Sequence, residues 1–207
     1  LFFGWLPWYI EEKNCSGREG SMKKHVGIVV LVAFLSSLSL ALMPEGAGAA
    51  TKKEINASVD VALKRFAADV KGAGEFLKAA KGTLVMPRVK KAGFILGGEY
   101  GNGALRVGAK TVAYYNMAAG SAGLQIGAEE FNLILCFMDE AALKKFRASK
   151  GWQAGVDGTI TLVTLGAGGS VDTTKLKEPI VGFVFGQEGL MAGVSLQGLK
   201  FTKTNPE

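Results

Sequence analysis

Between Lys81 and Gln125 the chain runs as apolar, strand-like stretches broken by glycine every few residues: Gly82, Gly93, Gly97, Gly98, Gly101, Gly103, Gly108, Gly120 and Gly123. Glycine inside a strand marks a bulge, a sharp bend or a close backbone approach, so the pattern calls for a tightly curved antiparallel sheet rather than a flat one. The stretch holds no catalytic apparatus, which directs attention to the surface of that sheet.

The N-terminal region speaks to address. Met22 is followed by Lys23 and Lys24, an apolar stretch from Val26 to Leu42, Pro44, and the small run Ala47-Gly48-Ala49-Ala50. A positive start, an apolar centre and an A-x-A site in that order are a secretory signal peptide. Residues 22–49 are read as that signal, residues 1–21 as an over-extended reading frame ahead of Met22, and residues 50–207 as one exported domain. A retained transmembrane anchor is the rival reading. It is disfavoured because about 17 residues is the lower edge of a span, and Ser36, Ser37 and Ser39 dilute it. The expected location is the periplasm or cell envelope, peripheral to a membrane.

The formal net charge is +6. A basic exported domain points to acidic partners: anionic lipid head groups, cell-surface polymers or nucleic acid. The single histidine, His25, falls in the signal segment. The exported domain is therefore without Ser-His-Asp or Cys-His dyads and without His-containing zinc sites. Cys136 sits in the apolar run Leu133 to Phe137, where burial makes a thiol inert. Glu99, Glu129, Glu130, Asp139, Glu140 and Asp157 show no metal-loop or paired-acid spacing. No catalytic residue, cofactor or metal is expected, and the chain is read as not an enzyme.

Apolar Ile55, Val59, Ala62, Leu63, Phe66 and Val70 recur at steps of three and four, which predicts an amphipathic helix over 54–70. Its polar faces carry Lys53, Lys64 and Arg65, with Lys71 just beyond, and Asp60 and Lys64 are spaced as an i,i+4 pair. A short second helix is expected at 75–80, and Gly82 ends it. Strands are expected at 83–86, 92–97, 104–107, 111–117, 121–127, 130–137, 158–164, 180–185 and 190–201. The Gly101-Asn102-Gly103 triplet has turn chemistry and is read as closing a hairpin. Asp139 is read as the N-cap of a helix over 140–146. Neither Ala167-Gly168-Gly169-Ser170 nor the run Gly97 to Gly103 has phosphate-loop or dinucleotide spacing, so both are read as turns.

Several segments carry a resemblance. Ala80-Lys81-Gly82-Thr83-Leu84-Val85-Met86-Pro87, Lys91-Ala92-Gly93-Phe94, the run Gly97 to Gly103, Ala119 to Gly127, Gly151-Trp152, and Phe185 to Gly193 resemble, in order, the motifs of the SYLF lipid-binding domain in its bacterial exported form. The resemblance spans Ile55 to Lys203. It implies a lipid-binding module; eukaryotic members bind phosphoinositides and some engage actin. Gln153 and Gln197 depart from the acidic residues expected there. The family supplies no lipid site that maps residue by residue.

The combined reading is an α+β fold with N-terminal amphipathic helices packed on a strongly curved antiparallel β-sheet or partial barrel. Anionic phospholipid is expected to be bound peripherally by Lys64, Arg65, Lys71, Arg88, Lys90 and Lys91, with an apolar helix or loop edge inserting shallowly. The expected partner is thus an anionic phospholipid membrane, with no nucleic acid expected; the alternatives are a carrier enclosing one hydrophobic ligand and an envelope scaffold binding another protein.

Overall fold

The computed structural model describes residues 50–93, 96–122, 127–166, 169–189 and 198–207, and the unit Ala49–Glu207 is compact. The expected signal peptide and the segment before it lie outside the described residues, as do residues 123–126 of the expected strand over 121–127 and residues 190–197 of the expected strand over 190–201.

Helix α1, Lys52–Asp69, starts at a reciprocal cap: Glu54 N–H donates to Thr51 Oγ1 at 3.2 Å and Thr51 N–H donates to Glu54 Oε2 at 2.8 Å. The Thr51 N–H and the Thr51 hydroxyl, the latter at 3.0 Å, both donate to the Glu54 carboxylate and hold it below its ordinary range. Ile55, Val59, Ala62 and Phe66 form its buried stripe, as their spacing requires. Gly72, at φ 87°, turns the chain into α2, Ala73–Ala79. Within α2, Gly74 has nothing within 4 Å of where a Cβ would stand. Gly74→Ala is therefore expected to stabilise by about 0.5–1 kcal/mol through the unfolded chain's lost freedom. Thermal melting checks this, and a lower Tm would contradict it.

Eight strands follow: β1 Gly82–Gly93, β2 Leu96–Val107, β3 Lys110–Ala122, β4 Gly127–Phe137, β5 Gly151–Gln153, β6 Thr161–Thr164, β7 Ile180–Gly189 and β8 Lys200–Thr204. They form one sheet in the order β5-β8-β3-β2-β1-β4-β7-β6, antiparallel except for the β6–β7 pair. Helix α3, Glu140–Ala148, lies between β4 and β5, and Asp139 caps it by accepting from Ala141 and Ala142 N–H. A short 3-10 helix, Thr173–Lys177, precedes β7.

The sheet curls into a half-barrel, and a line of irregularities marks where it bends. Register slips between Met86 and Val89 on the β1–β4 ladder, between Val85 and Lys90 on β1–β2, and between Glu130 and Asn132 on β4–β7. Arg88 takes φ 50° and Gly186 takes φ 61° at this level. Asn132 ties the slipped strands together, since its Oδ1 accepts from Arg88 N–H and its Nδ2 donates to the Phe185 carbonyl. Bulges intensify strand twist, so three aligned across neighbouring strands curl the sheet there.

Each face of the sheet has its own core. One cluster draws Trp152 and Phe201 from one end of the strand order and Ile180 and Val184 from the other, together with Leu143 and Phe146 of α3. Residues from distant strands meet only because the sheet is curled. On the opposite face, α1 and α2 pack through Phe66 and Phe76 on Val85, Ile134 and Phe183. The fold is α+β with a curled, mostly antiparallel sheet, as expected, although one helix inserted within the sheet order also closes a core.

Two local expectations are corrected. Gly101-Asn102-Gly103 does not close a hairpin but lies inside β2. A Cβ on Gly101 would meet Val89, and one on Gly103 would overlap the Val85 carbonyl. These glycines are there because bulged β1 approaches β2 closely. Asp60 pairs with Arg106 of β2 at 2.8 Å instead of with Lys64.

Candidate functional site

A groove runs beside α1 on the side of the bulges. Its central cavity, about 500 Å³, lies between Ser58, Val61 and Arg65 of α1 and Pro87, Arg88 and Glu130 of the sheet. A second cavity of about 480 Å³ continues it past Arg65 and Gly186 to Val70, Leu165 and Phe185. A third of about 230 Å³ extends it past Ser58 and Arg88 to Lys90, Tyr100 and Asn102. The groove thus combines an apolar floor with three cations, Arg65, Arg88 and Lys90, and four carboxylates, Glu54, Asp69, Glu130 and Glu188, and the large apolar side chains Val61 and Tyr100, 65% and 51% exposed, stand at its rim.

The bulge is what aims Arg88. Its positive φ departs from strand geometry, costing on the order of 1 kcal/mol, and turns the guanidinium to Glu130, where Nε donates to Oε1 at 2.9 Å. Arg65 lies 3.5 Å from Asp69 and, across the groove, 3.7 Å from Glu188. These pairs are exposed and so worth about 0–1 kcal/mol each. A phosphate, which a guanidinium grips through two parallel hydrogen bonds, can replace a carboxylate there at little cost.

Opposite the groove, α1 is fixed to β2 and β3 by a polar seam. Asn56 Nδ2 donates to Tyr114 Oη at 2.8 Å, Thr111 Oγ1 donates to Asn56 Oδ1 at 2.7 Å, and Arg106 Nη2 donates to Asp60 Oδ1 at 2.8 Å. The helix therefore presents its groove side and its outer side, while its other sides are held.

The six basic residues read from the sequence separate into groups. Arg65, Arg88 and Lys90 come together along the groove. Lys64 is exposed on the outer side of α1, about a quarter turn from Arg65. Lys71 is exposed beyond the helix, where its backbone bridges to Ser170. Lys91 does not join this surface: it is 5% exposed and stands 3.6 Å from Glu99. Lys90 and Lys91 are consecutive in one strand, and consecutive strand residues point to opposite faces. The groove's carboxylates Glu130 and Glu188 and its rim residues Val61 and Tyr100 went unread in the sequence. The only local signal was Pro87, which inside a strand marks a bulge.

Cys136 is buried and free, and burial pushes its thiol up to about 12. Among the described residues no group of three or more His, Cys, Asp or Glu could hold a metal, and no described helix is long and apolar enough to cross a membrane.

A sheet curled by aligned bulges, with a helix-edged groove that sets arginines and a lysine among carboxylates and apolar side chains, forms a candidate binding site. Residues 118–207 match the model of the family described as Ysc84, Las17-binding protein actin regulator, which is consistent with a SYLF domain. The match begins within β3 and takes in β4 to β8. Helix α1 and strands β1 and β2, with Arg65, Arg88 and Lys90, precede it but belong to the same sheet and core. A search among curated proteins found no match.

Proposed function

We propose that this chain is an exported, non-enzymatic module that binds anionic phospholipid at a membrane surface through the groove beside α1. The observation that carries the reading is the meeting of Arg65, Arg88 and Lys90 with the exposed Val61 and Tyr100 along one groove. Apolar side chains at a rim enter the interfacial region, while each nearby cation adds about 1 kcal/mol on an anionic surface, falling off within a Debye length. The SYLF family supports a binding role, and the signal-like order of residues 22–49 supports export. The family's description by a protein partner also keeps open a second reading, an envelope scaffold for another protein.

Vesicle sedimentation across a salt series tests the first reading. The chain is expected to pellet with phosphatidylglycerol vesicles, to be released as salt rises, and to ignore neutral vesicles. Arg88→Glu with Lys90→Glu is expected to weaken anionic binding at least tenfold with the melting transition intact. Unchanged binding by that folded variant would remove the groove from the reading. Capture of one envelope protein at stoichiometric yield without vesicle binding would favour the scaffold.

A further inference from the structure

The strongest feature outside the groove is a buried cluster of three charges on the other face of the same strands. Lys91 on β1 stands directly opposite Glu99 on β2 and opposite Glu129 on β4. The three side chains are 5%, 7% and 5% exposed. Lys91 Nζ lies 3.6 Å from Glu99 Oε1, while the Oε2 atoms of both Glu99 and Glu129 are buried without a hydrogen-bond partner.

One ammonium between two carboxylates leaves one negative charge in excess, and an uncompensated buried charge is strongly disfavoured. The neighbouring strands do not cancel it. Ala119 stands opposite Glu99 on β3 and Gly189 opposite Glu129 on β7, and neither titrates. The other charges on β1, β2, β4 and β7 are Arg88, Lys90, Arg106, Glu130 and Glu188; Arg106 pairs with Asp60 of α1, and the rest line the groove, so all lie on the α1 side of the sheet. The cavities of the groove open on that side too, and a proton is the smallest ligand that would neutralise the excess charge.

We propose that Lys91, Glu99 and Glu129 form a proton-binding site, holding one proton between the two carboxyls at neutral pH and locking the β2-β1-β4 end of the sheet until that proton leaves. The proton moves from solvent to one Oε2 and removes the charge that burial disfavours there. Burial raises both carboxyls above their ordinary 4.5; for Glu99 the negative Glu129 adds to the rise, and Lys91 opposes it at both. A carboxyl raised in the folded state contributes stability that is fully present below about 4.5 and is lost as pH rises through its folded value. The lock therefore weakens toward alkaline pH. Lys90 and Tyr100, next along the same strands, sit at one end of the groove, so loosening the lock frees that end.

Melting of the full chain from pH 4 to 9 tests the site. Glu129→Gln, which mimics the protonated carboxyl, is expected to raise Tm at pH 8 by about 2–4 °C and to flatten the fall of Tm with pH. Glu99→Gln is expected to act in the same direction, while the double Gln variant, which removes both carboxylates facing Lys91, is expected to melt below the parent at pH 7. Glu130→Gln, on the groove side, is expected to leave the pH slope unchanged. Single Gln variants that melt lower than the parent with an unchanged slope would overturn the proposal. So would a Tm that rises with MgCl₂ at fixed pH and ionic strength and not with falling pH, because a cation would then occupy the orphan oxygens. Carbon-detected NMR of the two carboxyls gives a reading independent of stability: one of them must titrate above the ordinary glutamate range.

Discussion

Gly103→Ala is expected to destabilise the domain by about 3 kcal/mol or more, lowering Tm by about 6–12 °C. Gly103 is not needed for an unusual backbone angle. Space is the obstacle, because the added Cβ would overlap the Val85 carbonyl oxygen and crowd the Met86 sulphur. A flexible side chain could swing away, but the carbonyl cannot. Val85 is held in the central strand, in register with Ala104 on one side and Ile134 on the other. The methyl group must therefore push β1 from β2 beside the bulge that aims Arg88. Gly101→Ala, which meets chiefly the Val89 side chain at 3.0 Å, is the matched control and is expected to cost less. Urea melting of both variants decides the matter, and a Gly103→Ala protein within about 0.5 kcal/mol of the parent would show that β1 yields there.

The same glycine shows where sequence reading stops. Gly101-Asn102-Gly103 has the composition of a turn, and local chemistry alone cannot tell a turn from a strand that another strand crowds. The reason for those glycines lies in Val85 and Val89, more than ten residues upstream. Features set by local rules were legible: the stripe Ile55, Val59, Ala62 and Phe66, the Asp139 cap, and the inert Cys136. The curvature of the sheet was legible too, because glycine spacing records it.

The candidate site was half legible. Basic residues could be counted along the chain, but their sorting depended on whether β1 runs unbroken through Pro87 and Arg88. Once it does, the period of two sends Lys90 to the groove and Lys91 to the buried cluster. Partners distant in sequence carried no local mark. Asp60 finds Arg106 across 46 positions in place of the helical neighbour Lys64, and Arg88 finds Glu130 across 42. The trio of Lys91, Glu99 and Glu129 becomes a site only through the register of three strands.

Phe66→Ala is expected to cost about 3–5 kcal/mol and to weaken vesicle binding as well. Phe66 is fully buried, with its ring centroid 5.0 Å from that of Phe183 and 5.1 Å from that of Phe185, so it joins α1 to β7. Phe185 also lines the groove cavity that Arg65 borders. Loss of the ring leaves a cavity where helix meets sheet and loosens the wall carrying Arg65 and Val61. Two modes of membrane engagement then give opposite results. If docked α1 is one wall of the groove, loosening it reduces binding, which is the expected outcome. If α1 must leave the sheet to enter the membrane, loosening it increases binding. Release of the helix would expose Ile55, Val59 and Phe66, each worth about 1.5–3 kcal/mol buried, and would break the seam of Asn56 and Asp60 with Tyr114, Thr111 and Arg106. A bilayer can repay the apolar part of that cost, but it offers no counterpart to the part-buried polar seam. Vesicle binding by Phe66→Ala, measured below its melting transition and beside the parent, therefore separates a fixed groove wall from a detachable helix by the direction of the change alone.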